Sequence, residues 1–219
     1  MIEKPGKVVA IGLNYMDHVR ESGAEPPAKP LVFTKFTTSL IGDGDEIRIP
    51  RGLTERVDWE VELAVVIDRD ARNVSAAEAL SYVRGYTVAN DVSARDLQFA
   101  DGQWVRAKSL DTFCPLGSEL VQVDDPQNLK LTTRVNGELV QDSSTSEMIF
   151  GVAELIAFVT RTITLEPGDV IATGTPPGVG MARTPPRWLR DGDEVTVEIE
   201  RIGALTNAVK MDAPMGGTG

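Results

Sequence analysis

Glu60 and Glu62 stand two residues apart in the run Asp58-Trp59-Glu60-Val61-Glu62-Leu63-Ala64-Val65-Val66-Ile67, a spacing that can do chemistry. The run is rich in β-branched and aromatic residues and free of Gly and Pro, so it is expected to form a strand. Alternation then sends Asp58, Glu60 and Glu62 to one face and Trp59, Val61, Leu63 and Val65 to the other. Carboxylates at this spacing stand about 7 Å apart at the backbone, and their side chains can converge on one ion. Without an ion the like charges repel and one pKa is pushed up. A hard cation such as Mg2+, Mn2+ or Ca2+ is the natural counter-charge for oxygen ligands. For Glu-x-Glu alone, a solvated strand face is the competing reading. Asp91 ends a second predicted strand, residues 85–91, and either completes a metal site or caps the helical turn that begins near Ser93. Arg95 and Gln98 share a face of that turn.

His18 is the only histidine, and Glu21 lies three residues on, within reach of its ring on a helix. A carboxylate there can fix the ring and raise its basicity, leaving the other nitrogen to take a proton; a surface pair is the plainer alternative. Lys35 and Lys108 are isolated lysines, Lys35 amid apolar residues, where it either snorkels to water from an edge strand or serves a site. Thr175 sits in the Gly-rich stretch Thr173-Gly174-Thr175-Pro176-Pro177-Gly178-Val179-Gly180. That stretch lacks the Gly-Lys-Ser/Thr ending of a phosphate-binding P-loop, yet it can present backbone N–H groups and the Thr175 hydroxyl to an anion. Cys114, between Phe113 and Pro115, reads as a small buried hydrophobe.

The elements that must position these groups are mostly strands. Residues 7–12, 31–36, 47–49, 58–67, 85–91, 194–200 and 204–209 carry strand patterns. Asn136-Gly137 predicts a type I′ turn joining residues 130–135 to 138–140. Helical patterns cover residues 14–21, with Asn14 as N-cap, residues 75–83, with a Ser75/Glu78 capping box, and residues 150–160. No repeat or linker divides the 219 residues, so one β-rich domain of mixed α+β class with a few short helices is expected. The loop chemistry of residues 22–27 suits a mobile lid spanning about residues 14–30. A flexible tail is expected from about 211 to 219.

A formal charge of −11 argues against a nucleic-acid partner. One cysteine excludes an intrachain disulfide. Without a signal-peptide pattern or a long apolar run, the expectation is a cytoplasmic protein with no membrane partner.

Taken together, the motifs Asp58-x-Glu60-x-Glu62-Leu63, Asn90-Asp91-Val92-Ser93-Ala94-Arg95-Asp96-x-Gln98, Lys108-Ser109-x-Asp111-x-Phe113-x-Pro115-x-Gly117, Thr173-Gly174-Thr175-Pro176 and Gly203-x-Leu205-x-Asn207 resemble the fumarylacetoacetate hydrolase family. The match runs from about Val8 to Val209. The resemblance implies a β-roll catalytic domain that forms a homodimer. It implies Mg2+, or else Mn2+ or Ca2+, on Glu60, Glu62 and Asp91, and a His18–Glu21 dyad on a lid. It also implies substrate-anchoring roles for Lys35, Arg95, Gln98, Lys108 and Thr175. The resemblance does not extend to the separate N-terminal domain of the long animal enzymes, so their substrate preference is not expected to carry over.

The implied substrate is a keto or enol acid whose carboxylate and 2-oxo oxygen chelate the ion. The dyad favours metal-dependent hydrolysis of a C–C bond in acylpyruvates such as fumarylpyruvate or acetylpyruvate, with Lys108 among the groups that stabilise oxyanion charge. Isomerisation of unsaturated 2-hydroxy diacids in aromatic catabolism and decarboxylation of oxaloacetate are the alternatives. A non-catalytic ligand-binding protein on the same scaffold is the rival from another class.

Overall fold

Alternating apolar residues gather most of the strands into two five-stranded sheets, seen in a computed structural model that describes residues 4–213. The N-terminal half supplies β1 (Val8–Gly12), α1 (Met16–Ser22), β2 (Leu31–Lys35), β3 (Leu40–Ile41), β4 (Ile47–Ile49), β5 (Val57–Asp58), β6 (Val61–Ile67) and β7 (Val83–Asn90). Then come β8 (Ser93–Ala94), α2 (Arg95–Asp101), α3 (Val105–Lys108), β9 (Cys114–Pro115), β10 (Lys130–Val135) and β11 (Glu138–Ser144). The chain closes with α4 (Val152–Thr160), β12 (Val170–Ala172), β13 (Glu194–Ile199) and β14 (Gly203–Met211).

The first sheet runs β2-β1-β12-β6-β7, with only β1 and β12 parallel. The second runs β11-β10-β13-β14-β4, with only β14 and β4 parallel. Every residue of β6 is buried, because both faces of its sheet are covered. Leu63 and Val65 enter the main core with Val197 and Leu205 of the second sheet and Leu155 of α4, while Ala64 and Val66 meet Ala89 and Leu116 on the other face. A solvated acidic face is therefore excluded. Among the described residues no helix is long and apolar enough to cross a membrane.

Asn136 and Gly137 take φ of 53° and 80°, as the type I′ hairpin requires. Four local expectations change. The run from 58 to 67 is broken at Trp59-Glu60, because Asp58 Oδ1 accepts the Trp59 N–H and Asn90 Oδ1 accepts the Glu60 N–H in place of ladder partners. Asn14 does not cap α1; its side chain bonds Thr173 O and the Phe150 backbone, and Tyr15 takes the N-cap position. Ser75 and Glu78 bond to each other ahead of a 3-10 turn at Ala79–Tyr82, so the capping box opens no α-helix. Met211 ends β14 and Asp212 N–H donates to Ile49 O, so these two residues of the expected tail are held in place; residues 214–219 lie outside the described residues.

Candidate active site

Antiparallel pairing of β6 with β7 puts Val61 opposite Asn90 and Glu62 opposite Ala89, so the acidic residues meet at the ends of neighbouring strands. The Asp91 N–H donates to Glu60 O at 2.9 Å and locks that corner. Glu60, Glu62 and Asp91 each offer an oxygen within 4.8 Å of the others, and all three are buried. Lys108, at the end of α3, reaches Glu60 Oε2 and Asp91 Oδ2, each at 2.8 Å. Lys35 lies beneath them, its ammonium spent on Asp91 Oδ1 at 2.5 Å and on the carbonyls of Val92 and Lys108. Arg95 opens α2 and brings Nη2 to 2.6 Å from Glu60 Oε1. Nη2 is buried against that carboxylate, and the Arg95 side chain forms part of the wall of the cavity described below.

These charges are unevenly balanced. Burial works against the Glu60 charge, but Lys108 and Arg95 hold its carboxyl down to about 2. Burial, then the negative Asp91 and Glu60, pushes the Glu62 carboxyl well above the usual range. Burial disfavours the Lys108 ammonium, yet Asp91 and Glu60 keep its pKa above the ordinary value, so it stays a cation. Glu62 pairs with no Lys or Arg among the described residues, and its hydrogen-bond donor is the Gly174 N–H at 2.9 Å. An all-oxygen donor set with one uncompensated carboxylate fits a hard divalent cation.

His18 lies on α1 with Nδ1 2.9 Å from Glu21 Oε2, leaving Nε2 free. The other Glu21 oxygen accepts the Gly178 N–H at 2.8 Å, so the dyad is braced by the Gly-rich loop. Asp17 takes the His18 N–H and the Ser143 hydroxyl, which seats α1 against β11. A cavity of about 220 Å³ brings His18 together with Glu60, Glu62, Arg95, Gln98, Lys108 and Thr175. Lys35 and Asp91 stand behind its wall; Leu13, Phe33 and Trp104 form its apolar side. A larger cleft beside Phe36, Leu53 and Leu110 contains none of these groups, so size alone would select the wrong place.

The Gly-rich loop can present its N–H groups to an anion, and the anions that four of them meet are the protein's own carboxylates. Gly174 N–H meets Glu62, Gly178 N–H meets Glu21, and Gly180 and Met181 N–H meet Asp58 at 2.6 and 3.1 Å. Gly178 has φ +98°, and a Cβ there would lie 2.0 Å from Val140 O. Sequence reasoning missed Asp58, whose Oδ2 holds Arg95 Nε at 2.9 Å, although its place in the same alternation was visible. It also missed Gln141, buried, which holds Thr175 Oγ1 and Pro176 O, each at 2.9 Å. Its signal was faint, a lone Gln at an inward position of β11.

A family model described as fumarylacetoacetate (FAA) hydrolase, C-terminal, matches residues 7–210. The chain is 50% identical over 212 residues to "Oxaloacetate tautomerase Fahd2a, mitochondrial" of Rattus norvegicus, covering 95% of this chain and 67% of that protein. Among solved structures, a 2-hydroxyhepta-2,4-diene-1,7-dioate isomerase from Mycobacterium marinum superposes with TM-score 0.86 at 44% identity, covering 96% of this chain and 76% of that one. A fumarylacetoacetate hydrolase from Exiguobacterium antarcticum gives TM-score 0.90 at 45% identity, covering 95% and 76%. The two packed sheets are thus the β-roll that the resemblance implied.

Proposed function

The chain belongs to the fumarylacetoacetate hydrolase family, and we propose that it is an enzyme that interconverts the keto and enol forms of a small 2-oxo acid, with a 2-oxo diacid such as oxaloacetate as its first candidate. One observation carries this reading: a single buried imidazole, oriented by a carboxylate, opens on the same small cavity as Glu60, Glu62, Arg95 and Lys108. A divalent ion, Mg2+ in the first instance, would be held by Glu60, Glu62 and Asp91 and would supply Lewis-acid stabilisation of enolate charge.

The residues supply the rest. The Arg95 guanidinium, on the wall of the cavity, grips the substrate carboxylate. His18 Nε2, its partner nitrogen committed to Glu21, takes the C3 proton of the keto acid and delivers it to the 2-oxo oxygen to complete the enol, and moves it back from that oxygen to C3 in the reverse direction. The Lys108 ammonium donates a hydrogen bond to the developing charge on the 2-oxo oxygen. Gln98 and Thr175 border the bound acid, and Lys35 sets Asp91 from behind. The relative named as an oxaloacetate tautomerase supports this order of preference over the hydrolysis expected from the dyad. Hydrolysis of an acylpyruvate is the second reading, because the same dyad can deprotonate a water that attacks the distal carbonyl. A homodimer and closure of residues 14–30 over substrate belong to the proposal; sedimentation, and protease protection on adding oxalate, test them.

The decisive assay follows the ultraviolet absorbance of enol-oxaloacetate with Mg2+, alongside acetylpyruvate and fumarylpyruvate, for wild type and His18→Ala. Faster enol decay without pyruvate release, lost in the variant, supports the tautomerase. Consumption of an acylpyruvate alone moves the function to hydrolysis. Pyruvate release from oxaloacetate moves it to decarboxylation, and inactivity towards every substrate overturns all three readings.

A further inference from the structure

Asp58 is fully buried and both its oxygens are used. Oδ1 accepts the N–H groups of Trp59 at 2.9 Å and Gly180 at 2.6 Å; Oδ2 accepts Met181 N–H at 3.1 Å and Arg95 Nε at 2.9 Å. Asp58 does not line the cavity, so it acts on substrate only through these partners. Arg95 is held from three sides, by Asp58 at Nε, Gln98 at Nη1 and Glu60 beside Nη2, which fixes the plane of the guanidinium. Gly180 is tightly enclosed: a Cβ there would lie 2.0 Å from Arg187 O and 2.8 Å from Asp58 Oδ1. Two residues before it, Gly178 donates to Glu21.

We propose that Asp58 is a positioning residue that joins two halves of the site: it aims Arg95 at the substrate carboxylate and registers the loop whose Gly178 N–H holds the His18–Glu21 dyad. This deepens the proposed function and rests on it. The electrostatics favour the assignment, since Asn in place of Asp58 would turn an N–H toward a donor that now meets an oxygen.

The test is calorimetric titration of Mn2+ and then oxalate, a planar dianion carrying the oxygens of a 2-oxo carboxylate. It uses wild type, Asp58→Asn, Arg95→Lys and the double variant. Arg95→Lys keeps a cation between Asp58 and Glu60, so the cycle leaves no buried charge alone. Asp58→Asn is expected to hold Mn2+ affinity within about 3-fold and to weaken oxalate at least about 10-fold. The double variant should bind oxalate within about 2-fold of Arg95→Lys, because both substitutions break one device. Amide exchange at Gly178, Gly180 and Met181 should accelerate at least about 10-fold in Asp58→Asn and stay near wild type in Arg95→Lys. If Asp58→Asn does not fold, Asp58→Glu, which displaces the same charge by one methylene, should give the same split. Additive losses, Mn2+ affinity falling in step with oxalate, or unchanged exchange overturn the assignment while the proposed function stands. Failure of wild type to bind oxalate overturns both.

Discussion

Replacing Glu62 by Gln should make the metal-free protein more stable while removing its response to metal. Glu60 has Arg95 and Lys108 at 2.6 and 2.8 Å, and Asp91 has Lys35 and Lys108 at 2.5 and 2.8 Å, whereas Glu62 faces both acids with no paired cation, offset only by the Gly174 N–H and the more distant charge of Lys108. At the 4.8 Å limit of the cluster, two unit charges in an effective dielectric of about 20 repel by about 3.5 kcal/mol. The neighbouring cations cancel part of that, leaving about 1–3 kcal/mol of relief, or about 3–9 °C in Tm for a chain of this size. The gain depends on pH. A carboxyl whose folded pKa is raised contributes stability that is complete below its unfolded value of about 4.3 and is lost as pH rises through the folded value. In chelator, wild type should therefore lose stability between about pH 5 and pH 8 by an amount that Glu62→Gln does not, and the gap between them should widen with pH. Added Mn2+ at a hundred times its Kd should raise wild type by about 2.7 kcal/mol and the variant by less than about a third of that. Calorimetric melting with chelator and with Mn2+ at both pH values decides the matter. A lower Tm for Glu62→Gln in chelator, or a full Mn2+ shift in that variant, would refute the reasoning.

Other expectations follow from the same geometry. His18→Ala should lower turnover by about 10²- to 10⁴-fold with Mn2+ binding unchanged, and Glu21→Gln should lower it less, since Gly178 still holds the residue; a wild-type rate in folded His18→Ala removes the base from the mechanism. Gly178→Ala meets both a positive φ and the Val140 carbonyl, so it should cost about 1–3 kcal/mol in chemical denaturation, and no loss would mean the loop is looser than its contacts. Cys114 is buried and its thiol is pushed up to about 12 by that burial, so a thiol reagent should label it only after denaturation. Stoichiometric labelling of the native protein would show a route to that side chain.

The acidic cluster was legible because alternation is a strong rule for extended chain: Glu60 and Glu62, two residues apart, converge on one side even though the ladder is interrupted at Trp59-Glu60. The break at Trp59-Glu60 was not, because it depends on the side chains of Asp58 and Asn90 capturing backbone N–H groups from a distance of one and thirty residues. The Ser75 capping box had correct chemistry but opened only a 3-10 turn, since local capping cannot fix how far a helix continues. Asn14 likewise had a good cap residue's chemistry and was recruited across the fold by Thr173 and Phe150. Lys35 left two readings open, edge or site, and its burial beneath Asp91 became visible only once β2 was paired beside β1. The Gly-rich loop shows the same limit. Its capacity to bind anions was readable, but which anions was a question of topology.

The place of β12 in the first sheet governs how the molecule comes to exist. β1 ends at residue 12 and β6 at residue 67, yet the strand that lies between them is made of residues 170–172. At about 5–20 residues per second, about 8–32 s of synthesis separate β1 from the partner that joins it to β6. Until then both strands present unpaired edges, the kind of surface that recruits other chains. The loop that holds Glu62, Glu21 and Asp58 follows β12 directly, so the acids wait for it as well. The nascent chain must keep those edges and charges hydrated or shielded while the residues between β6 and β12 are made, and the sheet and the site close together once β12 and the loop after it are in place.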